Sequence, residues 1–362
     1  MNYLKQEEKI LSELTALYES RGYKKYKPSC FEEYSLYLNN LDFLISKNVI
    51  TFSGASGRLL ALRPDVTLSI INHIKVKENE TQKLFYTEKV YRQSAGISEF
   101  REISQTGVEV IGDVDGVCEA EIIMLIADTL ATISPDFLLD ISHMGFVEGL
   151  IASFNVSDEE RMIAYALLRE KNLHDFEEYA KRNKLSQQQI DAFTTAVKIS
   201  GDAKNVLLAV KKVAFNKKMS DAAEHLEKLI DTLTLLGYGD RLNVNFSIAN
   251  NADYYNGIIF NGYLDGVPHS VLSGGRYDKL LTKMGKNAQA IGFALYLGEL
   301  ERYFKPDGNF IDYLIIYDDI TQARALELSI KKLSEGKTVR LARGAIDGLK
   351  FGTLINLTEA IE

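Results

Sequence analysis

Gln105, Gly107 and Glu109 stand at alternate positions of one β-rich run, FREISQTGVEVIG. Strand side chains alternate between faces, so these three share a face with Ile103 and Ile111. A carboxylate and an amide are rarely buried unless paired, and a glycine weakens a strand. One reading is an ordinary solvated sheet face. The other is a ligand floor, where Gly107 lets a group lie against the backbone and Glu109 and Gln105 meet a polar cation such as an amino group or imidazole.

Three further clusters carry suitable residue types. In LRPDVT (62–67), Pro64 fixes the chain at the mouth of a helix, and Asp65 or Thr67 suits the free N–H groups of its first turn. In DYYNGIIF (253–260), Tyr254 and Tyr255 are either core aromatics with a satisfied hydroxyl or part of a pocket wall. In SGGRYDKL (273–280), Gly274 and Gly275 precede Tyr277 and a helix, either as a turn or as a close approach to a ligand. The five histidines show no metal-ligand spacing, and neither a metal nor a cofactor is expected.

The elements that must position these residues follow from periodicity and punctuation. Apolar residues at helical spacing predict a helix over 3–21, stopped by Gly22, and another after Pro64. Short β-like runs cover 49–52 and 59–62. The runs 83–93 and 100–111, separated by a polar loop containing Gly96, predict a hairpin. A helix over 118–132 and a strand over 137–141 follow. From Ser157 to Gly239 strand signals give way to charged amphipathic patterns such as EERMIAYALLREK. Strands resume at 241–248, 256–263 and 269–273, with a helix from Asp278 and a β-α-β pattern beyond Pro306. The fold class expected is α+β: a mainly antiparallel sheet with flanking helices (residues 1–154 and 241–304), an all-helical insertion (155–240) and a short C-terminal remnant (305–362).

Composition sets outer limits. At 46% hydrophobic and 25% charged, the 362 residues suit a globular chain with a well-buried core. Two cysteines, Cys30 and Cys118, without CxxC spacing, suit a reducing compartment. The charged N-terminal run has no apolar signal segment, and no stretch approaches a membrane span, so a cytoplasmic protein without membrane contact is expected. The net charge of −8 disfavours, without excluding, partners held by their phosphates, so nucleic acid is not an expected partner.

The order LRPxxT, YR-loop-QxGxExxG, DYYN, GGRYD and AIGFAL, over residues 3–304, resembles the catalytic core of histidyl-tRNA synthetases, a class II aminoacyl-tRNA synthetase-type fold. The resemblance implies a histidine pocket formed by Asp65, Thr67, Arg92, Gln105, Glu109, Tyr254, Tyr255, Gly274, Gly275 and Tyr277. It also implies losses. An arginine that acts on the activated carboxylate is Asn250 here, the arginine that holds the ATP tail falls on Glu299, and Arg302 lies out of register. The hairpin loop is one residue short, with Glu99 near an expected arginine, leaving Arg92 and Arg101. Each lost arginine–phosphate contact is worth on the order of 1.5–3 kcal/mol, so two or three imply a rate loss of roughly a thousandfold or more. No catalytic residue is assigned.

A kept pocket, lost arginines and a shortened C-terminal region resemble the regulatory subunits of ATP phosphoribosyltransferase. That resemblance implies a non-catalytic subunit that binds L-histidine, forms a homodimer and assembles with a short-form catalytic subunit. An aromatic-rich run from Tyr23 to Tyr37 adds to the homodimer expectation. The alternatives are a divergent histidine-activating ligase and a sensor of histidine or uncharged tRNA for another partner.

Overall fold

The computed structural model describes residues 6–44, 46–55, 57–76, 80–93, 99–249, 254–300, 303 and 310–358. The chain divides into two compact units, residues 14–300 and residues 1–13 with 301–362. In chain order, α1 (Gln6–Ser20), β1 (Lys24–Lys25), β2 (Phe31–Glu33), α2 (Tyr34–Leu38), β3 (Thr51–Ser53), β4 (Leu59–Leu62) and α3 (Val66–His73) lead into the hairpin β5 (Gln82–Gln93) and β6 (Phe100–Gly112). Next come α4 (Gly116–Ile133), β7 (Phe137–His143) and α5 (Met144–Ala152). The segment α6 (Asp158–Arg169), α7 (Leu173–Arg182), α8 (Gln187–Lys198), β8 (Ser200–Asp202), α9 (Ala203–Val213) and α10 (Lys217–Leu235) follows. The chain then returns through β9 (Leu242–Asn245), β10 (Ile258–Leu264), β11 (Leu272–Arg276), α11 (Asp278–Lys283) and β12 (Gln289–Tyr296).

Nine strands form the main sheet in the order β1-β5-β6-β12-β11-β10-β7-β9-β8. Its pairs are antiparallel except β1 with β5 and β7 with β9, so the fold is α+β on a mainly antiparallel sheet. Both faces are covered. On one, Phe85, Val108 and Phe293 share a face by register; Tyr18 of α1 packs on Phe85 and Phe293 and hydrogen-bonds Thr129 of α4. On the other, Leu84, Tyr86, Val90 and Ile111 form a core with Leu68 and Ile71 of α3, Tyr37 and Phe43. Burial of these side chains, each worth roughly 1.5–3 kcal/mol, holds α3 over the sheet and so fixes the space between them.

Caps set the local boundaries. Asp65 accepts from Leu68 N at the start of α3, Asp115 does the same for α4, and Ser186 with Gln189 closes a capping box on α8. The expected hairpin lies within one residue of β5 and β6 at its outer ends. Three expectations need correcting. The segment expected to be all-helical contributes β8, which pairs with β9, because Ser200–Asp202 offers backbone groups that the sheet edge can satisfy. The run expected as a strand at 269–273 is displaced to β11, since Gly274, Gly275 and Arg276 continue the ladder with β12. AIGFAL, read only as a motif, lies in the interior strand β12, between β6 and β11.

In the second unit, β13 (Phe310–Ile316), α12 (Gln322–Ser334), β14 (Val339–Ala342) and β15 (Lys350–Asn356) give a parallel sheet of order β14-β13-β15. The expected β-α-β pattern therefore carries a third strand. No helix among the described residues is long and apolar enough to cross a membrane.

Candidate functional site

The register of four adjacent strands builds the floor of a cavity of about 770 Å3. Leu84, Glu109, Gly292 and Gly275 lie opposite one another across β5, β6, β12 and β11, and so point to one face. Tyr86, Gly107, Ala294 and Ser273 form the next row. Two glycines in these rows are required by close packing. A Cβ on Gly292 would sit 1.9 Å from Glu109 Oε2, so only glycine lets that carboxyl lie across β12. A Cβ on Gly107 would sit 2.5 Å from the Tyr86 hydroxyl. The space expected above Gly107 for a ligand is therefore taken by the Tyr86 ring, a correction to the floor reading.

The wall opposite the floor comes from α3 and the three tyrosines. Thr67 Oγ1 donates to Glu109 Oε1 at 2.6 Å, and the Tyr277 hydroxyl donates to Oε2. Gln105 Nε2 donates to the Tyr86 hydroxyl at 3.3 Å. Tyr254 packs against Tyr277 and Tyr255, with ring centroids 5.6 and 4.6 Å apart. Asp65 faces the same cavity while capping α3, with Leu68 N donating to it at 2.8 Å, so capping and pocket lining coincide in one residue. The buried Arg92 lines the cavity; burial raises the Asp65 carboxyl, and the Arg92 charge partly opposes that rise.

Nine of the ten residues expected at the site line this one cavity: Asp65, Thr67, Arg92, Gln105, Glu109, Tyr254, Tyr255, Gly274 and Tyr277. Gly275 does not line it. Its α-carbon is on the cavity face, but a Cβ there would meet Tyr255 Cδ1 at 2.9 Å, so its role is to seat that ring. A Cβ on Gly274 would meet Phe260 on the opposite face; Gly274 reaches the cavity through its backbone. Glu299 is exposed and is not among the lining residues, so its carboxylate does not act inside the cavity. Asn250, Arg302 and the loop from Ser94 to Ser98 lie outside the described residues.

Sequence reasoning missed Tyr86, Gly292, Asn261, Ser273 and Tyr296, together with Met162 and Arg169 on α6. Gly292 was findable, as a glycine inside a strand-like apolar run. Arg169 and Met162 were not, because nothing local says that α6 reaches the cavity. Arg63, next to the site, is fully buried and makes no use of the cavity. Its guanidinium donates to the carbonyls of Pro28, Ser29 and Lys89 and to Glu88 Oε2 at 2.9 Å, pinning the loop before β2 to β5.

Burial dominates the electrostatics. It pushes the Glu109 carboxyl up to about 8; the Thr67 and Tyr277 hydroxyls oppose this, and the nearby Asp65 adds to it. Burial likewise raises Asp65, and raises the Tyr86, Tyr254 and Tyr277 hydroxyls well above their usual range. Burial thus favours the neutral form of Glu109, and a cationic N–H donor in the cavity would favour the carboxylate. Lys47, Arg169 and Asp42 are exposed at the rim, so both charge signs surround the cavity. Such an arrangement suits a small zwitterion, since a ligand unable to satisfy these groups leaves them unpaired. Among the described residues no group of three or more His, Cys, Asp or Glu side chains could hold a metal ion.

The histidyl-tRNA synthetase family model matches residues 2–300. An ATP phosphoribosyltransferase regulatory subunit of Caldanaerobacter subterraneus subsp. tengcongensis is 30% identical over 337 residues, 90% of this chain and 87% of the relative. A protein of the same name from Bacillus cereus is 25% identical, covering 98% and 87%. The structure of an ATP phosphoribosyltransferase regulatory subunit/histidyl-tRNA synthetase from Bacillus halodurans superposes with a TM-score of 0.77 at 24% identity, over 97% of this chain and 93% of that one. A chain of the ATP phosphoribosyl transferase HisG:HisZ complex from Thermotoga maritima gives 0.64 at 18%, over 82% and 98%. These last two likenesses show a shared fold. By the family model and the 30% relative, the chain belongs to the ATP phosphoribosyltransferase regulatory subunits, a family built on the histidyl-tRNA synthetase core.

Proposed function

We propose that the chain binds L-histidine in the cavity around Glu109 and, without catalysing a reaction itself, confers activity and histidine feedback inhibition on a short-form ATP phosphoribosyltransferase catalytic subunit. The observation that carries the ligand reading is the Glu109 carboxyl, buried between the hydroxyls of Thr67 and Tyr277 and open to a cavity with Asp65, Gln105 and Arg92 on its walls. The partner reading rests on the name carried by the relatives and on the likeness to a chain of the HisG:HisZ complex. Inhibition requires that histidine favour one arrangement of the complex, with a coupling of typically about 1–3 kcal/mol. The chain acts in the cytoplasm, in keeping with its free cysteines, Cys30 and Cys118.

We infer in addition a homodimer. The small sheet of order β2-β4-β3 turns Phe31 and Phe52 outward, 48% and 38% exposed and packed edge to face, beside the half-buried Leu60 and Leu62. An apolar sheet face of this kind is a usual site of self-association.

Calorimetric titration of the full chain with L-histidine tests the ligand reading. Binding is expected, with Glu109→Ala weakening it by about 1.5–3 kcal/mol, the worth of a charged contact. Reconstitution with the catalytic subunit then shows whether the same change relieves inhibition while assembly survives. Inhibition of the Glu109→Ala complex at the wild-type histidine concentration places sensing elsewhere. Histidine-dependent ATP–pyrophosphate exchange by the purified chain overturns the non-catalytic reading in favour of a ligase.

A further inference from the structure

Behind the cavity, on the face of the sheet covered by α4, a chain of polar side chains runs through the core. Glu119 of α4 is fully buried, with Arg276 Nη1 donating to its Oε1 at 2.9 Å. His225 Nε2 of α10 stands 2.7 Å from the other oxygen, and His143 of β7 lies 3.1 Å beyond, between Nε2 and the His225 Nδ1. At the other end Arg276 Nε donates to Asp278 Oδ2 at 2.8 Å, Asn256 Nδ2 donates to the same oxygen at 3.0 Å, and the Asp278 N–H donates back to Asn256 Oδ1 at 2.7 Å.

The donors and acceptors fit one assignment. Gly145 N–H donates to His143 Nδ1, so a neutral His143 carries its proton on Nε2 and gives it to His225 Nδ1. That leaves the His225 proton on Nε2, 2.7 Å from Glu119 Oε2 but outside hydrogen-bond geometry, so His225 meets the carboxylate as a close ionic contact and this oxygen accepts no hydrogen bond among the described residues. Burial depresses His143 to about 4, in agreement with a neutral ring. Burial also pushes Glu119 upward, but His225 and Arg276 outweigh it and hold the carboxyl below its usual range.

A buried ion pair of this sort contributes little net stability for its desolvation cost, and its best-attested use is to fix one geometry. What it fixes here is specific. Tyr277 lies between Arg276 and Asp278, and Tyr255 directly precedes Asn256. The Asn256 N–H donates to the Arg276 carbonyl and the Tyr277 N–H to that of Ala290, so both tyrosine backbones are tied to the same knot. Tyr277 then donates to Glu109, on the far side of the sheet from Glu119. We infer that Glu119 and Arg276, with His225, are positioning residues for the cavity: they set Tyr277 and Tyr255 through Asp278 and Asn256, and join α4 and α10 to the ligand site. For its affinity arm this inference rests on the histidine reading; its positioning arm does not.

The test uses the full chain labelled with fluorotyrosine, with the Tyr255 and Tyr277 signals assigned by Tyr→Phe changes. Glu119→Gln is expected to move both fluorine resonances in the free protein and to weaken L-histidine binding about two- to thirty-fold, the range carried by such networks. Arg276→Lys, which keeps the charge but loses the fork, should move the same signals by less. Should Glu119→Gln fail to fold, His225→Asn at the half-exposed end of the chain gives the same reading. A folded variant with a lower melting temperature but unmoved Tyr255 and Tyr277 signals overturns the inference, because the network is then only structural. Shifted tyrosine signals in a protein that does not bind histidine support positioning and remove the histidine reading instead.

Discussion

Replacing Glu109 by glutamine should flatten the dependence of stability on pH between about 4.5 and 8. The Glu109 carboxyl rises from an ordinary 4.5 to about 8 because it is buried; among the described residues the Thr67 and Tyr277 hydroxyls are its hydrogen-bond donors. A carboxyl whose folded value is raised binds its proton more tightly in the native state than in the unfolded one. Its contribution is therefore complete below about 4.5, is lost as pH rises, and levels off above about 8. At about 1.4 kcal/mol per unit, the wild type should lose about 2–3 kcal/mol between pH 5 and pH 7, and about 4 kcal/mol by pH 8.5, through this group alone. Urea unfolding of wild type and Glu109→Gln at these three pH values isolates the effect, because groups such as His143 titrate in both proteins and cancel. The glutamine variant should start less stable at pH 5, where its amide fits the two hydroxyl donors worse than the protonated acid does, and overtake the wild type as pH rises. Parallel curves across the window would mean that Glu109 is ionised in the empty cavity, and the account of its burial would fail. The same linkage implies that binding a cationic ligand near pH 7 releases a proton, which titrations in buffers of different ionisation enthalpy detect.

Other perturbations probe separate parts of the structure. Gly292→Ala places a methyl 1.9 Å from Glu109 Oε2 and 2.4 Å from the Val108 carbonyl, so overpacking should cost about 1–3 kcal/mol by urea unfolding and displace the carboxyl; retention of wild-type histidine affinity would contradict the floor geometry. Arg63→Met removes the donors to Pro28, Ser29, Lys89 and Glu88 and should cost about 3–5 kcal/mol, read as a fall in the urea midpoint; a loss below about 1 kcal/mol would show that the loop before β2 does not depend on it. Phe52→Glu should shift sedimentation of the isolated chain from dimer toward monomer, and an unchanged profile would move the proposed self-contact away from this face.

The linear order of residues was enough to identify the elements that form the site and most of its members. Alternation put Gln105 and Glu109 on one face, Pro64 and Asp65 marked the start of α3, and the spacing of five motifs tied the chain to its family. These are local or pairwise signals, carried by strand period, capping chemistry and turn residues. What the sequence left open was what each face touches. Gly107 was read as room for a ligand, but the register with β5 brings Tyr86 over it. Gly275 was placed in the pocket, yet the Tyr255 ring packs against it. By resemblance Glu299 puts a carboxylate where a cation belongs, but it lies exposed on the 3-10 turn after β12. The approach of α6, which brings Met162 and Arg169 to the rim, and the joining of Glu119, Arg276 and His225 from three distant parts of the chain depend on packing between elements. That packing is decided by the summed burial of many side chains across the sheet, and no window of sequence contains it.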